Sequence, residues 1–164
     1  MTDAQDRLYM QQALAEAQAA SSRGEVPVGA VLVDPVSDTV IARSGNAPIG
    51  IDDPTAHAEI LAIRDGCYAR GNYRLTGLTL YVTLEPCTMC AGAISNARIG
   101  RVVYGASDPK GGAVDSGVQF FQSPTCHHKP EVTRGVMEGE SAAMLKAFFR
   151  ARRKKTSRKK TSTG

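Results

Sequence analysis

The seven residues Leu78–Leu84 form an almost unbroken apolar and β-branched run that Pro86 brings to an end. A run this short and this apolar is expected to be a strand covered on both faces, as found in sheets that carry helices on either side. The flanking sequence supplies candidates for those layers. Met10, Ala13, Leu14 and Ala17 recur at helical spacing between Asp6 and Arg23, and Gly24 follows as a stop. Val28–Val33 and Thr39–Ser44 read as a hairpin around Asp34-Pro35, Ser37 and Asp38. A loop containing Asn46, Pro48, Gly50 and Pro54 leads into a second helix, His57–Arg70, in which Cys67 reads as a small buried hydrophobe. A short helix starts near Thr88, and Arg101–Ala106 is a further strand. Ser107–Gly117 reads as loop, and Glu131–Val136 as a short fifth strand. Glu140–Arg153 closes the pattern with Met144, Leu145, Phe148 and Phe149 on one helical face. Alternation of this kind specifies an α/β layered domain around a central sheet.

With 164 residues and 42% hydrophobic content the chain buries one core, so one domain is expected. No stretch of eighteen apolar residues occurs, and the start carries Asp3, Asp6 and Glu16, which argues against a membrane span or a secretion signal. Cys87 and Cys90 lie three apart, a spacing that suits a metal better than a disulfide and favours a reducing cytoplasm. The net charge of +4 conceals an asymmetry. Residues 150–164 hold eight of the twenty Lys and Arg and none of the sixteen acids, so the remainder is net −4. Two readings of that +8 end stand side by side, a docking site for a polyanion and a solubilising tail.

Two local patterns carry chemistry: His57-Ala58-Glu59 opens one helix, and Pro86-Cys87-Thr88-Met89-Cys90 opens another directly after the buried strand. Cysteines three apart at a helix start share a face, and the unpaired amides there favour thiolate. Two thiolates and one imidazole give Zn²⁺ three ligands and leave a fourth position for water, the arrangement of a catalytic zinc. Glu59 is then placed to carry protons to and from that water. Taken singly, a C-x-x-C is equally a redox pair or half of a structural zinc site, and a histidine at a helix start is commonly an ordinary surface or core residue. A structural site would need a fourth protein ligand, and the remaining candidates, Cys126, His127 and His128, sit in a Pro-flanked loop. The combination H-x-E followed by P-C-x-x-C is the zinc deaminase pattern.

Around these motifs the sequence resembles the bacterial tRNA-specific adenosine deaminases, within the zinc-dependent cytidine deaminase superfamily. The resemblance spans about residues 5–153 and includes Glu25-Val26-Pro27-Val28-Gly29, Asp53-Pro54-Thr55-Ala56-His57-Ala58-Glu59, Asn72-Tyr73-Arg74-Leu75 and Thr83-Leu84-Glu85-Pro86-Cys87. It continues through Arg101-Val102-Val103-Tyr104-Gly105, Asp108-x-Lys110 and Phe148-Phe149-Arg150-x-Arg152-Arg153. It implies a three-layer fold with a mixed five-stranded sheet, a homodimer, one Zn²⁺ per subunit, and deamination of the wobble adenosine in a tRNA anticodon stem-loop. By the same resemblance His57, Cys87 and Cys90 hold zinc and Glu59 is the proton carrier. Asn46 holds the nucleoside, while Val28, Ala58 and the Glu85-Pro86 backbone line the base pocket. Asp108, Lys110, Phe148, Phe149, Arg150, Arg152 and Arg153 contact the anticodon nucleotides, with at least one of the two phenylalanines in the core and the other free to stack on a base.

The expected organisation is one deaminase domain over residues 1–153 and a basic disordered tail over 154–164. Asn46 also reads as a turn residue, and Asp108 and Lys110 as parts of a solvated loop. Two rival functions remain: a deaminase of a free base or nucleotide, against which the basic end counts, and a non-catalytic zinc-stabilised RNA-binding module, in which Glu59 would be superfluous. The run Cys126-His127-His128 falls outside the resemblance.

Overall fold

The computed structural model describes residues 2–162. Its elements are α1 (Asp3–Ser22), β1 (Gly29–Asp34), β2 (Thr39–Gly45), α2 (Ala58–Arg70), β3 (Thr79–Leu84), α3 (Thr88–Asn96), β4 (Arg101–Ala106), a 3₁₀ turn (Phe120–Gln122), β5 (Glu131–Arg134) and α4 (Glu138–Ser162). Helix α1 begins three residues before the expected Asp6, because Thr2 accepts the Gln5 amide and Gln5 returns the bond to the Thr2 amide. Strand β5 stops at Arg134 rather than Val136, where Gly135 turns the chain with φ +81°.

The strands lie in the order β2-β1-β3-β4-β5. β1 is antiparallel to β2 and β3, whereas β3, β4 and β5 run parallel. Strand alternation divides the core into two layers. Ala30, Leu32, Leu80, Val82, Val102 and Tyr104 face α2 and α3, burying Ala62, Ile63, Ala91 and Ile94. Val31, Val33, Tyr81 and Val103 face α1, where Tyr9, Met10, Ala13 and Leu14 complete a second cluster. Each fully buried aliphatic side chain contributes about 1.5–3 kcal/mol. Helix α1 approaches β1 so closely that a Cβ on Gly29 would lie 1.9 Å from the Ala13 carbonyl oxygen, so only glycine fits there.

One polar tie crosses this layer. Asp6 is 4% exposed and accepts a two-pronged pair from Arg101, at 2.9 and 2.7 Å, and the Tyr81 hydroxyl at 2.7 Å. It joins α1 to β3 and β4. Cys67 is partly buried and packs against the α2–α3 side of the core.

Helix α4 runs on past Arg153, through the stretch expected to be a basic disordered tail, as far as Ser162. Residues 163 and 164 of that expected tail, and the side chains of 160–162, lie outside the described residues. Ala, Arg and Lys are strong helix formers, no Gly or Pro interrupts 140–162, and cations near a helix C-terminus are favoured by its dipole. The like charges project into water, where they are screened.

The topology gathers distant segments at one edge. The carboxyl ends of β2, β3 and β4 and the amino end of β1 all meet there, so Val28, Asn46, residues 85–90 and residues 107–110 become neighbours. Carboxyl ends of parallel strands are where α/β sheets carry their sites.

Candidate functional site

Both helices that face this edge begin with a residue whose side chain does not cap its own helix. His57 is the N-cap of α2 and Cys87 the N-cap of α3, each in extended conformation. Their side chains turn instead toward Cys90 in the first turn of α3. His57 Nδ1 lies 3.6 Å from each sulfur, and the three donor atoms fall within 4.8 Å of one another. A tetrahedral ion with bonds of about 2.3 Å to sulfur and about 2.05 Å to nitrogen holds those atoms about 3.6 Å apart, so the spacing fits zinc.

The protonation pattern fits as well. A hydrogen bond from Cys90, assisted by His57, pulls the Cys87 thiol down to about 4. The same bond to Cys87, together with burial, pushes Cys90 far up. The cluster by itself thus holds one thiolate and one thiol. A dication removes the reason for the second sulfur to keep its proton. His57 is raised chiefly by its hydrogen bond with Cys87, against the effect of burial.

Glu59 lies within the first turn of α2, two residues after His57, and is 4% exposed. Burial holds its carboxyl above the usual range. Asn46 serves the adjacent helix end. Its Oδ1 accepts the Ala58 amide at 2.8 Å, a cap for α2 in place of the His57 side chain. A backbone N–H can only donate, so it is the Asn46 oxygen that faces α2 and the amide nitrogen that is turned away from it, with no hydrogen-bond partner among the described residues. Val28 and Ala58 are buried in the α2–α3 layer, and Pro86 is buried beside Cys87, its carbonyl accepting the Ala113 amide at 2.9 Å.

The remaining expected contacts separate into two groups. Asp108, Lys110, Phe149, Arg152 and Arg153 line one groove of about 1020 Å³ between α4 and the loop after β4, with Lys146 adding a further cation. Phe148 lines a second groove on the other side of α4, with Gln18 and Met144. Arg150 borders neither. The expectation that one phenylalanine is core is corrected. Phe148 is half-buried with the Arg152 guanidinium 5.2 Å from its ring centre, and Phe149 is 44% exposed. Helical spacing with Met144 and Leu145 suggested burial, but α4 turns only its first turns against the body.

Two acids were missed as structural posts. Glu25 is buried and accepts the Ile49 and Gly50 amides at 3.1 and 2.8 Å, fixing the loop between Asn46 and His57. Glu85 is also buried, and its carboxylate points into the 108–116 loop rather than toward the metal group. Burial raises this carboxyl, but the hydrogen bonds from Asp108, Ser116 and Asp115 outweigh it and hold it below the usual value. An acid standing beside a β-strand otherwise made of apolar residues was the available signal in both places. Cys126 and His128 have internal roles: Cys126 is buried against Ser95, and the His128 ring bonds the Ile99 carbonyl.

Residues 3–106 match the model of the cytidine and deoxycytidylate deaminase zinc-binding region. A tRNA-specific adenosine deaminase of Agrobacterium fabrum is 61% identical over 145 residues, covering 88% of this chain and 94% of the relative. One from Bacillus subtilis is 50% identical over 151 residues, covering 92% of both chains. A solved structure described with A-to-I editing by tRNA:A34 deaminases at the wobble position superposes with a TM-score of 0.81 at 61% identity, covering 84% of this chain and 98% of that one. With its His57, Cys87 and Cys90 spaced for zinc on this three-layer fold, the chain belongs to the zinc-binding cytidine and deoxycytidylate deaminase family and, within it, to the tRNA-specific adenosine deaminases.

Proposed function

We propose that this protein hydrolyses adenosine to inosine at the wobble position of a tRNA anticodon stem-loop. The observation that carries the reading is Glu59, a carboxylate that is 4% exposed and stands beside three metal donors that do not need it as a fourth. A module held together by zinc alone has no use for such a buried acid. Bound by His57, Cys87 and Cys90, zinc supplies the acidity that makes water nucleophilic near neutral pH.

Glu59 takes a proton from the attacking water as its oxygen adds to C6 of the adenine ring, and returns that proton to N1. It then carries the hydroxyl proton to the 6-amino group, which leaves as ammonia with the N1–H retained in inosine. The Asn46 amide nitrogen, freed by the Ala58 bond, is the donor offered to the nucleoside. Val28, Ala58 and Pro86 wall the base pocket. Burial of Glu59 keeps bulk water from competing for the proton.

The RNA backbone follows the groove in which Lys110, Lys146, Arg152 and Arg153 converge, and Phe149 offers an exposed ring for a splayed base. A free base has no phosphates for these cations to meet. The protein works as a homodimer in the cytoplasm. Large apolar side chains remain at the surface on segments flanking the metal group, Ile49 at 61%, Ile51 at 55% and Met89 at 37% exposure, as a protein interface leaves them. Among the described residues no helix is long and apolar enough to cross a membrane. Incubation with a tRNA panel, an anticodon stem-loop and free bases, followed by measurement of inosine and ammonia, is the test. Turnover of free bases without turnover of RNA would overturn the reading, and light scattering of the purified protein checks the dimer.

A further inference from the structure

The loop from Asp108 to Ser116 has no helix or strand of its own, yet the amides of Asp108 and of residues 111–116 all find acceptors. The Glu85 carboxylate takes four of them, those of Asp108, Val114, Asp115 and Ser116. Its Oε1 accepts the Asp108 amide and the Ser116 hydroxyl, both at 3.0 Å. Its Oε2 accepts the amides of Val114, Asp115 and Ser116 at 3.1, 3.0 and 3.0 Å. Five donors converge on one side chain that is 2% exposed.

Only a carboxylate accepts this many bonds through two oxygens without presenting a donor of its own. The wrap is also tight. A Cβ on Gly112 would lie 2.4 Å from the Glu85 carboxyl carbon, and Asp108 turns its own carboxylate back to the Gly111 amide at 3.0 Å. The post itself is firmly set, because the Glu85 amide donates to Ala106 on β4 at 2.9 Å and Cys87 follows two residues later. One residue thus joins the end of β3, just ahead of Cys87, to the loop that presents Asp108 and Lys110 to the groove.

We infer that Glu85 is a positioning residue for substrate recognition: its carboxylate fixes the loop carrying Asp108 and Lys110 in register with the metal corner, so that an RNA held in the groove meets the site correctly. This rests on the RNA reading above. The carboxylate does not touch the metal group, and the loop's own tie to that corner, the Ala113 amide on the Pro86 carbonyl at 2.9 Å, is a backbone bond that does not pass through Glu85. Loss of the post is therefore felt in binding before chemistry.

Glu85→Gln keeps the volume but sets an NH₂ group against backbone donors whichever way the amide lies. It should keep about one zinc per chain and nearly full kcat at saturating stem-loop. KM should rise roughly tenfold, about 1.4 kcal/mol. Combined with Asp108→Ala or Lys110→Ala, it should add little further to KM, because a displaced loop no longer presents those groups. Amide hydrogen exchange at residues 108 and 114–116 should quicken at least tenfold in the variant, and this arm needs no RNA. If Glu85→Gln does not fold, Ser116→Ala, which removes one of the five donors, and Gly112→Ala, which forces the loop off the post, should show graded versions of the same KM rise. Unchanged exchange and KM, strictly additive effects, or a loss confined to kcat would overturn the role. Failure of the wild-type protein to form inosine in RNA would sink the RNA reading instead, while the exchange arm still decides whether Glu85 anchors the loop.

Discussion

His57, Glu59 and Cys90 are held where two helix starts meet the edge of a sheet buried on both faces, whereas Arg150, Arg152 and Arg153 stand on a helix whose residues 149–159 are all exposed. The first region works through geometry: donor atoms 3.6 Å apart leave no room for error, and packing against Ala62, Ala91 and Ile94 supplies the rigidity. The second works through field. On the RNA reading proposed above, its cations act by attraction to a polyanion, for which exposed side chains on an unpacked helix suffice. Damage to the first region should therefore abolish turnover, and damage to the second should weaken binding in proportion to charge removed.

The largest effect is expected from Cys87→Ala, which removes one of the three metal donors while leaving residue 87 at the start of α3. Zinc content should fall toward zero and turnover should vanish. A ligand bound at 100 times its dissociation constant stabilises by about 2.7 kcal/mol, so melting should drop by roughly 5–10 °C for a domain of this size. Elemental analysis and calorimetry check both. Full zinc content in the variant would show that the cradle is not the one described.

Next comes Glu59→Gln, which leaves all three donors in place but cannot shuttle a proton. A loss on the order of 10²–10⁴ in kcat is expected, with one zinc retained and RNA affinity unchanged. Single-turnover kinetics with a stem-loop would separate these, and a kcat within a few-fold of wild type would refute the role. This variant sharpens the comparison because it silences the corner without touching the groove.

Truncation after Phe149 does the reverse. It removes eight cations and no acid and leaves a body of net −4. Three close phosphate contacts at about 1 kcal/mol each correspond to a rise in KM of roughly 100-fold, while zinc content and kcat stay near wild type. The slope of log affinity against log salt should fall by roughly 0.7 per lost contact. Equal salt slopes for the two proteins would make the basic end a solubility device and reopen the case for a free base.

The metal corner was legible in the sequence because its logic is local. Ligands three apart at a helix start, and a histidine two residues from a glutamate, declare themselves without knowledge of the fold. The sheet was legible from Leu78–Leu84 and Arg101–Ala106 for the same reason, since period and apolar content are local properties. What was not legible depends on distant partners. Asp6 looks like a solvated residue on α1, yet it is buried against Arg101, ninety-five positions away. Glu85 reads as part of the Pro-Cys motif, but its carboxylate serves residues 108–116. Phe148 and Phe149 carried a core pattern that the body does not extend far enough to cover. The charge run after Arg153 suggested disorder, although Arg and Lys are also good helix formers and suit a helix C-terminus.

That last point leads to the smallest expected effect. Truncation after Lys155 removes Arg158, Lys159 and Lys160 but leaves Arg152 and Arg153, which line the groove. A helix rises 1.5 Å per residue, so Arg158 begins about 7.5 Å beyond Arg153, close to one Debye length at physiological salt. Its pull on an RNA seated in the groove is therefore largely screened. KM should rise only about three- to fivefold at roughly 0.03 M salt, where the Debye length is longer, and the difference should vanish near 0.3 M. The helix still matters, because Thr156 and Ser157 form the outer end of the groove. Replacing Arg158, Lys159 and Lys160 by Gln keeps that wall and removes only charge. If the Gln variant matches the truncation at both salt concentrations, the outer turns act as a diffuse attractor. A truncation that costs more than the Gln variant, and still costs it at high salt, would show that Thr156 and Ser157 touch the RNA directly, and the contrast between a fixed corner and a diffuse arm would then end at Arg153 no longer.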